Sequence, residues 1–557
     1  MRKGTAVCCS ALLMAGLFAL ALLVCPTHFL LDDDTLLMQL LSGARTGQAS
    51  YYNVYNSILY SAPISALYRL FPAVEWYPLI QILILFASGT AVCSVILPLA
   101  RERGRALPVL LAGIGVFLCM WLPNLIFLQY SVVGAAAGTA ACLLTLSRME
   151  RGGRGWGIAI FGALSFCIRV ETGVAMLAML CAAGLMGLLS GEKGEWKGKI
   201  KSLLGPLVPW VLVGILALGL GLAIEYGPEM EDYAAFNHAR QDYMDYPHDD
   251  FSENPVFSET GWNRSLYDLV EHWCFLDPRV NTENLHQINT AAVHSFTPLE
   301  KLTAAPGLFF STLRVSNLVR NLFLLLVSLT LALLARRLLG LDVPGLIRGL
   351  VPLLAFFAAS LLLCYRGRFS QHAFYVVALP ALMLLLYEWA DLPRAGKLSG
   401  CLGGLALFAT LFLGVNSAEH VVALANSPVL LEEEALNDRI NAYARSHGDK
   451  IILTDYSLRV FRAPFAPQGE PWARNRFSWG GWYYHSPFYY DQLKENGLST
   501  LTGEALYGGR VLLLNRDEAL LQKILAYLSE NFGPTELMEV DRLGDVGIYT
   551  FVNIQTP

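Results

Sequence analysis

The chain has 557 residues, of which 55% are hydrophobic and only 15% charged, with a net charge of −5 and a mean hydropathy of +0.46. Soluble domains carry about 25% charged residues, so most of this chain is excluded from being one. No basic patch, zinc-finger spacing or Walker-type loop points to nucleic acid. Most of the eleven cysteines fall in or beside apolar blocks and read as small hydrophobes, with no disulfide framework.

The apolar blocks are about 20 residues long, which matches the roughly 30 Å hydrocarbon core. In chain order they predict about eleven spans, at about 7–30, 78–98, 106–127, 131–147, 156–168, 172–190, 206–226, 318–336, 345–364, 373–389 and 401–418. The fifth is too short to cross alone and is expected to pair with the sixth as a bent element. Met1 to Cys25 could be read as a cleaved signal peptide. The run is long, lacks a clear small-residue cleavage site and leads straight into an acidic motif, so it is expected to be retained.

Alternate turns carry the basic residues: Arg2 and Lys3; Arg101, Arg103 and Arg105; Arg148, Arg151 and Arg154; Lys193, Lys197, Lys199 and Lys201; Arg336 and Arg337; Arg394 and Lys397. With this span count they all fall on one side, which the positive-inside rule makes the cytoplasm. The expected protein is therefore a multi-pass plasma-membrane protein with a cytoplasmic N-terminus. An odd count of spans puts the C-terminus outside, together with polar segments at 31–77, 227–316 and 419–557.

The expected fold class is mainly α: a polytopic helical bundle over 1–418 with external interfacial helices, and a small extracytoplasmic α/β domain over 419–557. In that tail, Glu432–Ser446 and Asp517–Asn531 have helical spacing, while Lys450–Asp455, Arg510–Asn515 and Val546–Val552 read as strands.

Polar chemistry gathers on the outer side. Asp32, Asp33 and Asp34 follow the first span directly. Adjacent carboxylates raise one another's pKa, which suits a general base or a metal ligand; a helix cap is the plainer reading. Tyr51, Tyr52, Asn53, Tyr55 and Asn56 form an aromatic–amide set of the kind that stacks on and hydrogen-bonds to sugars, or an interfacial aromatic belt. Arg169 and Glu171 sit at the break between spans five and six, where ionisable groups are costly. The turn containing Arg366, Arg368 and His372 departs from the charge rule and suits a lipid-linked phosphate. Arg240, Asp242, Tyr243 and Trp482 are further candidate substrate contacts in the second segment and the tail.

Taken together, the chain resembles the GT-C glycosyltransferases, multispan enzymes that use a polyprenyl-phosphate sugar as donor. The resemblance rests on the acidic motif Asp32–Asp34 at the outer end of span one, the external loop after it and the C-terminal domain. Asp33 and Asp34 with Ser42-Gly43 and Thr46-Gly47, Gly367-Arg368 and Gly480-Gly481-Trp482 resemble bacterial members of that superfamily. It implies an inverting transfer to an extracytoplasmic acceptor such as a cell-envelope glycan or lipid. Asp33 or Asp34 would be the base, and Arg366, Arg368, Arg169 or His372 would hold the leaving phosphate. No cofactor is required, although a divalent cation could sit on Asp32, Asp33 and Asp34. The competing readings are a transporter or flippase of a polar lipid and a non-enzymatic envelope assembly protein.

Overall fold

The computed structural model describes residues 3–153, 155–191, 195–294, 297–392, 397–458, 462–465 and 472–554. Of the basic residues that set the expected sidedness, Arg2, Arg154, Lys193 and Arg394 lie outside these ranges.

The chain opens with helix α1 (Lys3–Val24), a two-residue strand β1 (His28–Phe29), and helices α2 (Asp32–Ser42), α3 (Ile58–Leu70) and α4 (Trp76–Glu102). Helix α5 (Ala106–Val116) passes through a π-helical turn at Phe117–Trp121 into α6 (Leu122–Ile126). The wide turn stands just before Pro123, which cannot donate to the helical ladder. Strand β2 (Phe127–Leu128) follows, then α7 (Tyr130–Arg151), α8 (Trp156–Ile168), α9 (Val170–Leu189) and α10 (Trp196–Glu225). The second polar segment folds as α11 (Glu231–Met244), α12 (Val256–Glu259), α13 (Arg264–Val270), α14 (Thr282–Ala292) and α15 (Pro298–Val315). Four long helices complete the bundle: α16 (Asn317–Leu339), α17 (Val343–Tyr365), α18 (Gln371–Asp391) and α19 (Lys397–Ala425).

Among the described residues ten helical stretches are long and apolar enough to cross a bilayer, and α8 is a shorter apolar helix. The protein is a multi-pass membrane protein. At 1.5 Å per residue, α8 is about 20 Å long, and it turns back through the extended Arg169 into α9. Helices α7 and α18 are 89% and 94% buried over their apolar windows, against 17% for α10. The first two form the centre of the bundle and α10 lies at its lipid-facing rim. Small residues allow this: a Cβ on Gly138 of α7 would fall 2.1 Å from Met176 of α9, so only glycine lets the two backbones approach this closely.

Helix α15 begins with a capping box between Thr297 and Glu300. Its Phe309 packs on Phe323, Phe356 and Phe369, while Leu299, Leu302 and Phe310 stay exposed. That is the pattern of a helix resting in the membrane interface.

The expected division at 418/419 falls inside α19. Polar residues from Asn416 to His420 end the apolar run but leave the backbone helical to Ala425. The α/β domain then comprises α20 (Pro428–Ser446), β3 (Ile451–Thr454), β4 (Arg476–Ser478), α21 (Pro487–Glu495), β5 (Val511–Asn515), α22 (Glu518–Phe532), β6 (Thr535–Leu543) and β7 (Val546–Asn553). The sheet order is β4-β3-β5-β7-β6. The first three strands are parallel, and β7 and β6 add on antiparallel.

This domain is fastened to the bundle at several points. His28 of β1 meets Glu434 at 2.8 Å and the Ala425 carbonyl at 2.9 Å. The Phe275 amide donates to the Trp479 carbonyl at 2.9 Å, and Tyr527 donates to Asp277 at 2.6 Å.

Candidate active site

The bundle has two polar ends. One gathers the basic turns: Arg103 with Asp391 at 2.8 Å, Arg151 with Glu102 at 2.7 Å, and Arg337 with Glu388 at 3.1 Å. The other gathers Asp32–Asp34, Tyr130, Arg169 and His372, and is covered by the α/β domain.

The three aspartates form the first turn of α2, where the helix dipole favours carboxylates. Their surroundings then separate them. Asp34 is fully buried. Its Oδ1 accepts from the Tyr77 hydroxyl at 2.9 Å and from Gln81 Nε2 at 3.3 Å, while Oδ2 is buried without a partner. Burial pushes its carboxyl up to about 8, against those two hydrogen bonds. Asp33 is half-buried, and its Oδ1 accepts from the Trp482 indole at 2.9 Å. Burial, followed by the neighbouring Asp32, raises it to about 6, while Trp482, Arg169 and Arg240 oppose the rise.

Two guanidiniums face Asp33. Arg169 donates to Glu171 at 3.1 Å, to the Tyr130 hydroxyl at 3.1 Å and to Ser131 at 3.0 Å. It also lies over the rings of Tyr55 and Tyr130. Arg240 is buried on α11; it donates to Asn237 at 2.7 Å, lies 5.4 Å from the Trp273 ring centroid and keeps Nε without a partner. Tyr55 stacks on Tyr130 at 5.8 Å and meets Trp482 edge-on at 5.4 Å. The result is a carboxylate within electrostatic reach of two arginines, beside the Tyr55–Tyr130–Trp482 aromatic cluster. It can take a proton and, beside it, hold an anion.

The other candidates distribute unevenly. Arg368 pairs with Asp245, at the end of α11, at 2.6 Å but stays 64% exposed; Arg366 is exposed. His372 lies within electrostatic reach of both Arg169 and Arg368, so it links the arginine turn to the acidic end. Glu171 is exposed beyond its pairing with Arg169. Tyr51 is exposed, and Tyr52 packs on Phe488 at 6.2 Å.

Asn53 and Asn56 are engaged in shaping the loop. Asn53 caps the Tyr55 and Asn56 amides, and Asn56 donates to the Ile168 carbonyl at 3.1 Å. Asp242 is exposed. Tyr243 is buried beside His248 and Trp262, and its hydroxyl donates to Glu271 at 2.8 Å, within the second segment's own core.

Asp34 is engaged by Tyr77 and Gln81, Asp33 by Trp482, and among the described residues no group of three or more His, Cys, Asp or Glu could hold a metal ion. Tyr77, Gln81, Tyr130 and Ser131 were not singled out from the sequence. The available signal was polar groups within and at the starts of otherwise apolar spans.

Fold and site together define a multi-pass membrane protein with a carboxylate–arginine centre at one bundle end, roofed by an α/β domain. No family model and no curated protein matches the chain. Two solved structures are similar to it. ArnT from Cupriavidus metallidurans in the apo state is 11% identical, with a TM-score of 0.49, covering 96% of this chain and 97% of that one. The same protein bound to undecaprenyl phosphate is 12% identical, with a TM-score of 0.40, covering 97% and 98%.

Proposed function

We propose that the protein is an inverting glycosyltransferase that moves a sugar from a polyprenyl-phosphate carrier to an extracytoplasmic hydroxyl acceptor. The observation that carries this reading is the half-buried Asp33 facing Arg169 and Arg240 at a membrane edge. Asp33 is the base: it reaches the surface of the site, whereas Asp34 is sealed behind it. The acceptor hydroxyl gives its proton to Asp33 while its oxygen forms the new bond to the anomeric carbon. The bond from that carbon to the phosphate oxygen breaks, and its electron pair leaves with polyprenyl phosphate. Arg169 and Arg240 stabilise that leaving charge, with His372 and Arg368 toward the membrane side.

A cavity of about 690 Å³ lies at the same end of the bundle, between α6, the outer ends of α16, α18 and α19, and the start of α20; Leu30 and Gln371, neighbours in sequence of the aspartates and of His372, line it. Its wall includes Leu30, Phe127 and Leu424 together with Gln371 and His420. Such a mixed lining suits a lipid tail entering from the bilayer with its polar head toward the site. The sidedness that goes with this reading places the N-terminus in the cytoplasm and the α/β domain outside.

The test is transfer from polyprenyl-phosphate sugars in detergent, where no gradient exists. Asp33→Asn should lower it by about 10²–10⁴-fold in a protein that still folds and inserts. Full activity in Asp33→Asn, in Asp34→Asn and in the double variant would overturn the assignment.

A further inference from the structure

The α/β domain contributes directly to the acidic centre, through a loop built for that purpose. Trp479 to Trp482 lies on the second polar segment. The Trp479 carbonyl accepts from the Phe275 amide at 2.9 Å. A Cβ on Gly480 would fall 1.7 Å from the Trp273 carbonyl oxygen, so no other residue fits there without moving the backbone. Gly481 has φ of +84°, a conformation that glycine adopts without strain. The Tyr233 hydroxyl donates to the Trp482 carbonyl. The loop's backbone is thus fixed on both sides of Trp482, and the indole N–H is delivered to Asp33 Oδ1 at 2.9 Å. The ring of Trp273, whose carbonyl Gly480 covers, also carries Arg240. One small substructure therefore places both the hydrogen-bond donor and one of the cations that Asp33 faces.

We propose that Trp482 is a positioning residue: its indole N–H fixes the Asp33 carboxylate, so the centre is complete only when the α/β domain is seated. The groups facing Asp33 from the packed elements are Asp32 on α2, Arg169 at the α8–α9 break, Arg240 on α11 and Trp482, with Tyr55 from the first segment and Tyr130 from α7 beside them. Trp482 is the one neutral side chain among them that donates a fixed hydrogen bond to Asp33. An aromatic contact with Tyr55 would survive replacement of the indole by a phenyl ring; the hydrogen bond would not.

The inference rests on the reading of Asp33 as the base, and it can be tested without sugar transfer. Purified full-length protein in detergent is treated with a water-soluble carbodiimide and an amine, and modification of Asp33 and Asp34 is followed by peptide mass spectrometry. Trp482→Phe should raise the Asp33 labelling rate about tenfold, the effect of losing a hydrogen bond to a charged group. Asp34 labelling and the affinity for farnesyl phosphate should stay at wild-type values. Gly480→Ala should reproduce the Asp33 result by displacing the loop. Where transfer is measured, kcat should fall about tenfold with KM for the lipid donor unchanged. Unchanged Asp33 labelling in Trp482→Phe would overturn the proposal. So would a parallel loss of farnesyl phosphate affinity, which would make Trp482 a ligand contact. A labelling rise in a protein that transfers no sugar would sustain the positioning role and remove the transferase reading.

Discussion

The two polar ends of the bundle use the same residue types to opposite effect. At the basic end Arg337 and Arg348 close on carboxylates. Arg348 sits between Glu150 at 2.5 Å and Glu388 at 2.6 Å, Arg337 bridges Glu388 at 3.1 Å and Asp342 at 2.5 Å, and Tyr387 donates to Glu150 at 2.6 Å. At the acidic end the charges are held apart. Arg169 and Arg240 act on Asp33 electrostatically, yet among the described residues no ion pair joins either of them to it, and its hydrogen bond comes from the neutral Trp482 indole. The contrast separates a lock from a site.

The largest expected effect falls on the acidic end. Asp33→Asn keeps the oxygen that accepts from Trp482 and removes the base, so transfer should drop by about 10²–10⁴-fold with an unchanged melting temperature. At the basic end the consequences should be reversed. Glu388→Ala leaves Arg348 and Arg337 short of a buried partner and should destabilise the protein by about 3–5 kcal/mol, read as thermal unfolding in detergent. Correctly folded Glu388→Ala protein should transfer sugar at the wild-type rate. Lost activity at full stability would erase the distinction between the ends.

The pH dependence sharpens the same contrast within the acidic turn. A base works ionised, so activity should be low in acid and rise with pH through the pKa of the working carboxylate. With Asp33 in that role the rise is centred at about 6; a rise centred at about 8 would move the role to Asp34. For stability the sign runs the other way. The folded pKa of Asp34 is raised, so the stability tied to its neutral form is fully present below about 4 and is lost as pH rises through about 8. Asp34→Asn, which stays neutral, should therefore resist alkaline unfolding better than the wild type. The smallest effect is expected from the exposed Arg368–Asp245 pair: Arg368→Ala should change stability by less than about 1 kcal/mol. A larger change would mean that the arginine turn is part of the lock.

Much of the bundle was legible in the sequence because span length and apolar composition are local properties that the bilayer selects directly. The expected short fifth element is α8, and two helices of the tail, α20 and α22, were placed within a few residues, while the nine-residue α21 was not expected. Nor were two strands of the sheet. β4 is three residues long, and β6 is an edge strand whose charged residues, among them Glu536, Glu539 and Asp541, conceal its alternation. The sequence gives no sign that Asn53 bonds its own loop, that Asn56 reaches the Ile168 carbonyl or that Tyr243 reaches Glu271, since a polar side chain with a protein partner has the same local signature as one without.

The sequence by itself determined the membrane architecture, the segregation of basic turns to one end, and the acidic motif at the other. Each is written in a run of neighbouring residues, where hydropathy and charge act locally. Only the tertiary structure decided which aspartate is sealed and which is reachable, that Arg169 and Arg240 converge on Asp33, and that Trp482 reaches it from 449 positions away. Those facts depend on burial and on contacts between distant elements, and no local pattern of residue types encodes either one.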